Sequence, residues 1–111
     1  GMDEISISGQ SFLLEIFHGE IKELQKINPA DYNLKIQPLS AIIGNDSQYN
    51  TNEMLELFAG KNSAYADIVC LNTAFALKLS GRYQNLLDDI NHTKNILQSK
   101  KVLEYIKNYN N

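Results

Sequence analysis

The segment between Ser63 and Gly81 constrains the fold more than any other part of this 111-residue sequence. It is apolar almost all round, so a helix formed here has no polar face for water and must be covered by other elements. Four polar residues interrupt it, which is too many for a membrane span: Asp67, Asn72, Thr73 and Lys78. The segment is therefore predicted to be a central buried helix that runs to Ser80 and ends at Gly81.

Three more helices are predicted around this one, which gives a cluster of about four. The first has a capping box of Asn50 and Glu53 at its start and ends at Gly60. The second covers residues 83–98 and follows the central helix. The last is capped by Ser99 and turns four residues inward: Val102, Leu103, Ile106 and Tyr109.

The beginning of the chain has the alternation of β-strands instead. Ile5 and Ile7 alternate with polar residues, which predicts a half-buried strand. His18-Gly19 is a tight-turn signal between two arms, residues 12–17 and 20–27, and it predicts a hairpin. The apolar residues of the second arm are spaced by three, which also fits a helix face. Its short length, with Gly19 before it and Pro29 after it, argues against a helix, and the arm is predicted to be an irregular or bulged strand.

Strands and helices are segregated along the sequence. Residues 1–28 are predicted to be strands and residues 29–111 a helical cluster, with short helical turns at 29–32 and 38–43. This order predicts a single domain of the α+β class, or the end of a larger α/β domain.

Charge and cysteine content exclude several classes of protein. The formal net charge is -3 and the isoelectric point is about 5.3, so the basic surface of a nucleic-acid-binding protein is not expected. A single cysteine rules out an internal disulfide and a multi-cysteine zinc site. The chain begins with neither the basic start nor the apolar run of a signal peptide, and we expect a cytoplasmic protein with no membrane partner.

Few side chains outside the N-terminus suggest chemistry. His18 is expected to be an exposed turn residue, and His92 to form at most a weak helical pair with Asp88. Cys70 lies among apolar residues and is expected to be an inert buried thiol. No residue is assigned a catalytic or substrate-binding role.

Polar residues within the buried helix need hydrogen-bond partners. Asp67 and Asn72 are therefore expected to tie down loop backbone rather than to take part in catalysis. Tyr105 and Tyr109, near the end of the chain, are interpreted as core and rim residues.

Five short motifs follow one another in a specific order. Residues 1–6 read Gly-Met-Asp-Glu-Ile-Ser, residues 15–21 place a glutamate before a Gly-Glu-Ile turn, and residues 28–32 read Asn-Pro-Ala-Asp-Tyr. Residues 44–60 hold Gly-x-Asp, Asn and Leu-x-Ala-Gly, and residues 66–81 hold Ala-Asp, Leu-Asn, Ala and Gly. In this order the motifs resemble the C-terminal part of the anthranilate phosphoribosyltransferase family, among the nucleoside-phosphorylase-like glycosyltransferases.

The resemblance implies a metal role for Asp3 and Glu4. In the family, this acidic pair carries the magnesium ion that bridges to phosphoribosyl diphosphate. Neighbouring strand residues point to opposite faces, so the pair needs a shaped site to converge on one ion. Magnesium also takes waters and phosphate oxygens as ligands. We therefore expect the role to be vestigial here, with no cofactor bound by this chain alone.

The resemblance also implies an activity that these residues do not supply alone. The family transfers phosphoribose to anthranilate in tryptophan biosynthesis, using a Gly-Thr-Gly-Gly-Asp loop, a Lys-His-Gly-Asn-Arg segment and an N-terminal helical domain. The sequence contains neither motif and has no adjacent glycines, and its one arginine is Arg82. We therefore expect an inactive chain: a remnant, a truncated product, or half of a split enzyme with an N-terminal complementing chain.

A non-enzymatic interaction module is the alternative. Without the rest of a larger domain, residues 4–27 would leave an unpaired strand edge and an uncovered apolar face. We expect a homo-oligomer built through this strand region, whose apolar residues include Ile5, Ile7, Phe12, Leu14 and Phe17.

Overall fold

The computed structural model describes residues 2–82 and 85–109 and has short strands followed by helices, as predicted for the α+β class. The strands are β1 (Ser11–Leu13), β2 (Ile16–Phe17), β3 (Glu20–Ile21) and β4 (Gln25–Ile27). Two 3-10 helices follow, at Pro29–Tyr32 and Leu39–Ile42. The α-helices are α1 (Ser47–Phe58), α2 (Ala64–Leu79), α3 (Leu86–Gln98) and α4 (Lys101–Tyr109). Among the described residues, no helix is both long and apolar enough to cross a membrane.

Helix α2 is the buried centre of the molecule, as its all-round apolarity predicts. The Ser63 hydroxyl accepts a hydrogen bond from the Ala66 amide at 3.1 Å and caps the helix, and Gly81, with a φ of 77°, follows its end. Three of its side chains are 0% exposed: Cys70, Leu71 and Ala74. The core around α2 receives side chains from the rest of the chain, including Ile7, Ile27, Leu34, Leu57, Ile90 and Leu97.

The predicted hairpin is confirmed, and its ladder is interrupted in the middle. β2 pairs with β3 at the tip and β1 with β4 at the base, both antiparallel. At the tip, His18 (φ 51°) and Gly19 (φ 79°) occupy the left-handed region, which suits a two-residue turn between twisted strands. Between the two ladders, the Lys22 amide donates to the Glu15 carbonyl oxygen at 2.8 Å. The second arm is therefore irregular, as predicted.

The strand predicted at Ile5 and Ile7 is wrong. The chain around them consists of bends and irregular backbone, with no ladder to any described strand. Serine side chains accept from the backbone amides instead: the Ser11 hydroxyl from the Ser6 amide and the Ser6 hydroxyl from the Ser8 amide, each at 2.9 Å. Ile7 is nevertheless fully buried, so its apolar character places it in the core without a strand.

Helix α1 begins before the predicted capping box. Asp46 is the N-cap, and its Oδ1 accepts a hydrogen bond from the Tyr49 amide at 2.8 Å. The Asn50 side chain binds Asn45 instead, accepting from its amide at 2.9 Å and donating to its carbonyl oxygen at 3.1 Å. The predicted capping box of Asn50 and Glu53 is therefore wrong, because Asn50 lies inside the helix and braces the preceding turn.

The last two helices differ from the prediction at two boundaries and on one face. Ser99 is the C-cap of α3, where its hydroxyl donates to the Ile96 carbonyl oxygen at 2.8 Å, so the prediction that Ser99 caps the last helix is wrong. Asn85 caps α3 by accepting from the Asp88 amide at 2.8 Å, and the predicted start at residue 83 lies outside the described residues. Tyr105 and Tyr109 are 67% and 77% exposed, so the prediction that Tyr109 turns inward is wrong. Helix α4 contacts α1 and α3 with one side only, where Val102 packs against the core, and these tyrosines lie outside that contact.

The hairpin, residues 11–27, projects from the helices and exposes apolar side chains. The radius of gyration, 15.1 Å, exceeds the roughly 13 Å expected for a compact domain of this length. Six apolar residues of the hairpin are 53–68% exposed: Phe12, Leu14, Ile16, Phe17, Ile21 and Leu24. The described chain therefore leaves the apolar side chains of the hairpin uncovered.

Candidate metal-binding site

Asp3 and Glu4, the predicted metal ligands, line an open pocket of about 650 Å³. The pocket lies between the start of the chain, the base of the hairpin and Leu39, and both carboxylates are exposed. Its wall combines short polar and larger apolar side chains: Ser6, Ser8, Gln10, Ser11, Phe12 and Leu13. We name it the acid-pair pocket. The bent backbone thus brings both acidic residues to one cavity, which an extended strand would not do.

One side chain of α2 fixes the backbone directly after the acidic pair. Asn72 Oδ1 accepts a hydrogen bond from the Ile5 amide, and Asn72 Nδ2 donates to the Ile5 carbonyl oxygen, both at 2.9 Å. Nδ2 also donates to the Ile68 carbonyl oxygen at 2.9 Å. The prediction that Asn72 ties down loop backbone is confirmed.

Asp67 has a different partner from the predicted one. Lys94 Nζ on α3 lies 2.9 Å from Asp67 Oδ1 on α2. The ion pair joins two helices and involves no loop backbone, so the prediction that Asp67 ties down loop backbone is wrong. A central helix has neighbours on several sides, and the sequence alone does not say which neighbour faces a given polar residue.

Cys70 is packed in the core next to this ion pair. Burial raises the pKa of the Cys70 thiol to about 11, with the charge of Asp67 adding to the rise and that of Lys94 opposing it. The side chain is 0% exposed. A thiol in this environment carries almost no thiolate at neutral pH, in keeping with the predicted role as inert packing.

The oxygen donors of the acid-pair pocket suit magnesium with help from other ligands. Asp3 and Glu4 supply the hard carboxylate oxygens that magnesium prefers. Within residues 2–82 and 85–109, no three His, Cys, Asp or Glu side chains come together as a metal cage. The pair would therefore hold the ion together with waters and phosphate oxygens, the usual arrangement for magnesium.

Ser8 adds a polar atom to the same pocket that sequence reasoning missed. Its hydroxyl oxygen is buried and has no hydrogen-bond partner among the described groups. Buried hydroxyls are normally paired, so this unpaired oxygen is an exception among the residues that line the pocket. The run of serines after the acidic pair, at positions 6, 8 and 11, was the signal in the sequence.

Neither histidine lines the acid-pair pocket. His18 is an exposed turn residue, as predicted, and its ring packs edge-on against Phe17 with centroids 4.2 Å apart. His92 is exposed on α3 and lines a separate cavity of about 360 Å³ with Arg82 and Asp88. The structure therefore brings together Asp3 and Glu4 but places the histidines elsewhere.

The sequence matches a known family over most of its length. Residues 1–103 match the family described as glycosyl transferase family, a/b domain, and the chain belongs to this family. The resemblance to anthranilate phosphoribosyltransferases that the motifs carry is confirmed by similarity to proteins of that name.

Two curated relatives and one solved structure define this similarity. The anthranilate phosphoribosyltransferase of Pelagibacter ubique strain HTCC1062 is 30% identical over 111 residues, which are 100% of this chain and 33% of the relative. That of Haemophilus influenzae strain PittEE is 35% identical over 108 residues, which are 96% of this chain and 32% of the relative. The chain thus spans about a third of these relatives.

The solved structure is anthranilate phosphoribosyltransferase from Saccharomyces cerevisiae in complex with 4-fluoroanthranilate. It matches with a TM-score of 0.83 at 23% identity, over 96% of this chain and 31% of the yeast chain. The shared fold is therefore that of one part of the larger enzyme.

Proposed function

We propose that this chain is the C-terminal segment of an anthranilate phosphoribosyltransferase-like protein. The observation that carries the proposal is that nearly the whole chain matches about one third of the length of two enzymes with that name. In the proposed whole protein, phosphoribose passes from phosphoribosyl diphosphate to anthranilate. This segment would contribute the acid-pair pocket to the catalytic domain.

In this proposal, Asp3 and Glu4 are the residues that hold magnesium. Magnesium, when bound, neutralises charge on the diphosphate leaving group. The exposure of both carboxylates leaves them accessible to an ion that keeps waters and phosphate oxygens as its other ligands. The chain alone should bind magnesium only weakly, in the millimolar range or worse, which corresponds to about -4 kcal/mol at best.

We expect no phosphoribosyl transfer by the 111 residues alone. The reaction depends on positioning and electrostatic stabilisation of the diphosphate. This chain has one arginine and no adjacent glycines with which to form the family's phosphate loop. The other two thirds of a full-length relative would supply that loop.

Complementation tests the proposal. The chain is mixed with the part of the Haemophilus influenzae relative that it does not match, and anthranilate, phosphoribosyl diphosphate and magnesium are added. Neither component alone should form product, whereas the mixture should. Combined Asp3→Asn and Glu4→Gln changes should abolish product, and Glu23→Gln, an exposed acid outside the pocket, should not.

Two results would contradict the proposal. Product formed by the chain alone and lost on Asp3→Ala would show that the segment is complete without the rest of the domain. A stable complex of the two parts that forms no product would show that this chain has lost its enzymatic role.

The exposed hairpin favours a second candidate, a non-enzymatic module that assembles with itself. β1 pairs with β4 and β2 with β3, so in the described part of the chain the outer edge of each strand is unpaired. Two-stranded hairpins are marginally stable in water and gain from added strands. We propose a second copy of this chain as the occupant of the hairpin surface.

Charge is compatible with that occupant. Residues 11–27 carry three acidic and two basic residues, so two copies of the hairpin meet without strong repulsion. An antiparallel edge can pair with its own copy across a two-fold axis. The complementing fragment distinguishes the two candidates: it should displace the second copy if the hairpin belongs inside a larger domain.

A further inference from the structure

The backbone that carries the acidic pair has few described restraints. It belongs to no strand ladder among the described residues, and residues 5–8 are held by four groups: the Asn72 side chain, the Ser6 and Ser11 hydroxyls and the Gln37 amide. Of these, only Asn72 binds the residue next to the pair. The direction in which the acidic pair leaves the backbone therefore depends most on Asn72.

The contact between Asn72 and Ile5 fixes the orientation of two peptide planes. The nitrogen of Ile5 belongs to the peptide plane that begins at Glu4, and peptide planes are rigid. Because one planar amide of Asn72 binds both the amide and the carbonyl of Ile5, the planes on both sides of Ile5 are held. The third hydrogen bond, to the Ile68 carbonyl oxygen, fixes the Asn72 amide on its own helix.

A small cavity lies beside this contact. Glu4 and Asn72 line it together with Met2 and Tyr65, and its volume is about 280 Å³. Empty space next to a loop gives that loop room to shift when a restraint is lost. The Asn72 hydrogen bonds thus hold the Glu4 backbone at a place where packing alone leaves room for other conformations.

We infer that Asn72 is a positioning residue for the acidic pair, which keeps Asp3 and Glu4 directed into the acid-pair pocket. The inference rests on the proposed metal role of these two carboxylates. Asn72 touches neither the ion nor a substrate in this role and acts through the backbone of Ile5. Groups that orient metal ligands commonly change metal affinity 10–100-fold when removed.

Magnesium titration of the whole 111-residue chain, followed by nitrogen-15 NMR, tests the inference. The Asp3 and Glu4 amide signals report binding, hydrogen exchange at the Ile5 amide reports the contact with Asn72, and the amides of α2 report folding. Asn72→Ala should weaken magnesium affinity about tenfold and accelerate Ile5 exchange while α2 stays folded.

Two further variants sharpen the test. Asn72→Asp keeps an acceptor for the Ile5 amide but places a negative charge against the Ile5 and Ile68 carbonyl oxygens, so it should also weaken binding. Asp67→Asn is the matched control, because it lies on the same helix, faces Lys94 and lines neither cavity near the acidic pair. It should leave magnesium affinity and Ile5 exchange unchanged.

The wild-type chain supplies a readout that needs no variant. The side-chain amide signals of Asn72 should shift along the same magnesium-binding curve as the Glu4 amide, since the two are joined through Ile5. No shift at Asn72 while Glu4 responds would overturn the inference, even if every Asn72 variant fails to fold.

The positioning role of Asn72 and the metal role of the acidic pair would be contradicted by different results. Unchanged magnesium affinity in Asn72→Ala, with Ile5 exchange accelerated, would overturn the positioning role and leave the metal role standing. Absence of magnesium-dependent shifts at Asp3 and Glu4 in the wild-type chain would overturn the metal role of this chain, and the inference with it.

Discussion

Lys78 of α2 and Glu15 of the hairpin form an ion pair, with Nζ and Oε2 2.6 Å apart. The two side chains are 26% and 23% exposed, so water screens the pair only partly. Glu15 lies in the interruption between the two ladders of the hairpin. The pair therefore fastens the weakest part of the hairpin to the central helix.

Replacing Lys78→Met should destabilise the protein by about 1 kcal/mol, since a partly buried ion pair contributes somewhat more than an exposed one. Urea unfolding measures the change. A cycle with Glu15→Gln and the double variant isolates the pairwise coupling from the other contacts of Lys78. Hydrogen exchange should quicken in the hairpin and not in α2. A coupling energy near zero would mean that contacts other than this ion pair hold the hairpin.

This ion pair marks the limit of what the sequence predicts. Its partners are 63 positions apart, and no local spacing relates them. The same holds for Asn72 and Ile5, which are 67 positions apart. The continuous apolar character of α2 predicts its burial, because a helix that is apolar almost all round is stable only when other elements cover it. The partner of a polar side chain depends instead on which elements become its neighbours.

The start of α1 shows a second limit. Asp46 and Asn50 are both residues that cap helices, and each precedes a helical pattern. The Asn50 side chain binds the turn at Asn45, and it lies close to Gly44, where a Cβ atom would be 2.7 Å from Asn50 Oδ1. Local propensity is satisfied by either cap, and the packing of the preceding turn selects Asp46.

Gly60 ends α1, as the sequence predicts, and it should be the least replaceable of the positive-φ glycines. Its φ is 91°, and a Cβ atom would lie 3.0 Å from the Gln98 Cα on α3. Gly60→Ala should cost about 2 kcal/mol or more, because the backbone strain adds to a backbone clash. Gly19→Ala is the control: its φ is 79° with open space around it, so only strain of about 1 kcal/mol is expected. Equal thermal stabilities of the two variants would contradict this account.

Burial of Cys70 should make stability fall in alkaline solution. Its thiol pKa rises from the model-peptide value of 9.0 to about 11 in the folded chain. Between these values the unfolded state binds fewer protons than the folded state, so raising the pH favours unfolding, by up to about 2–3 kcal/mol. Denaturant titrations from pH 8 to 11 measure the loss.

The matched variant for this prediction is Cys70→Ala. Lysine and tyrosine side chains titrate in the same pH range, and the variant retains all of them. Its stability should decline less steeply than that of the wild type between pH 9 and 11. This difference in slope does not depend on how much stability the cavity left by the substitution removes at neutral pH. Parallel curves for the two proteins would show that Cys70 does not ionise on unfolding.

The exposed hairpin should bring copies of this chain together in solution. Light scattering at about 100 µM, where a micromolar complex is populated, should give the mass of a dimer or a larger oligomer. Combined Phe12→Lys and Leu14→Lys changes should give monomers, because association would then bury two charges in an apolar interface. Circular dichroism should show the helical signal largely intact.

A control variant distinguishes association through the hairpin from nonspecific hydrophobic association. Leu79→Lys removes another exposed apolar residue, 83% exposed at the end of α2 and outside the hairpin, and it should leave the oligomer unchanged. Affinity is not set by the area of such a surface, so the test is whether association needs the hairpin. A monodisperse monomer, or an interface formed only by α3 and α4, would contradict assembly through the strands, because the unpaired edges and the uncovered apolar residues lie together in residues 11–27.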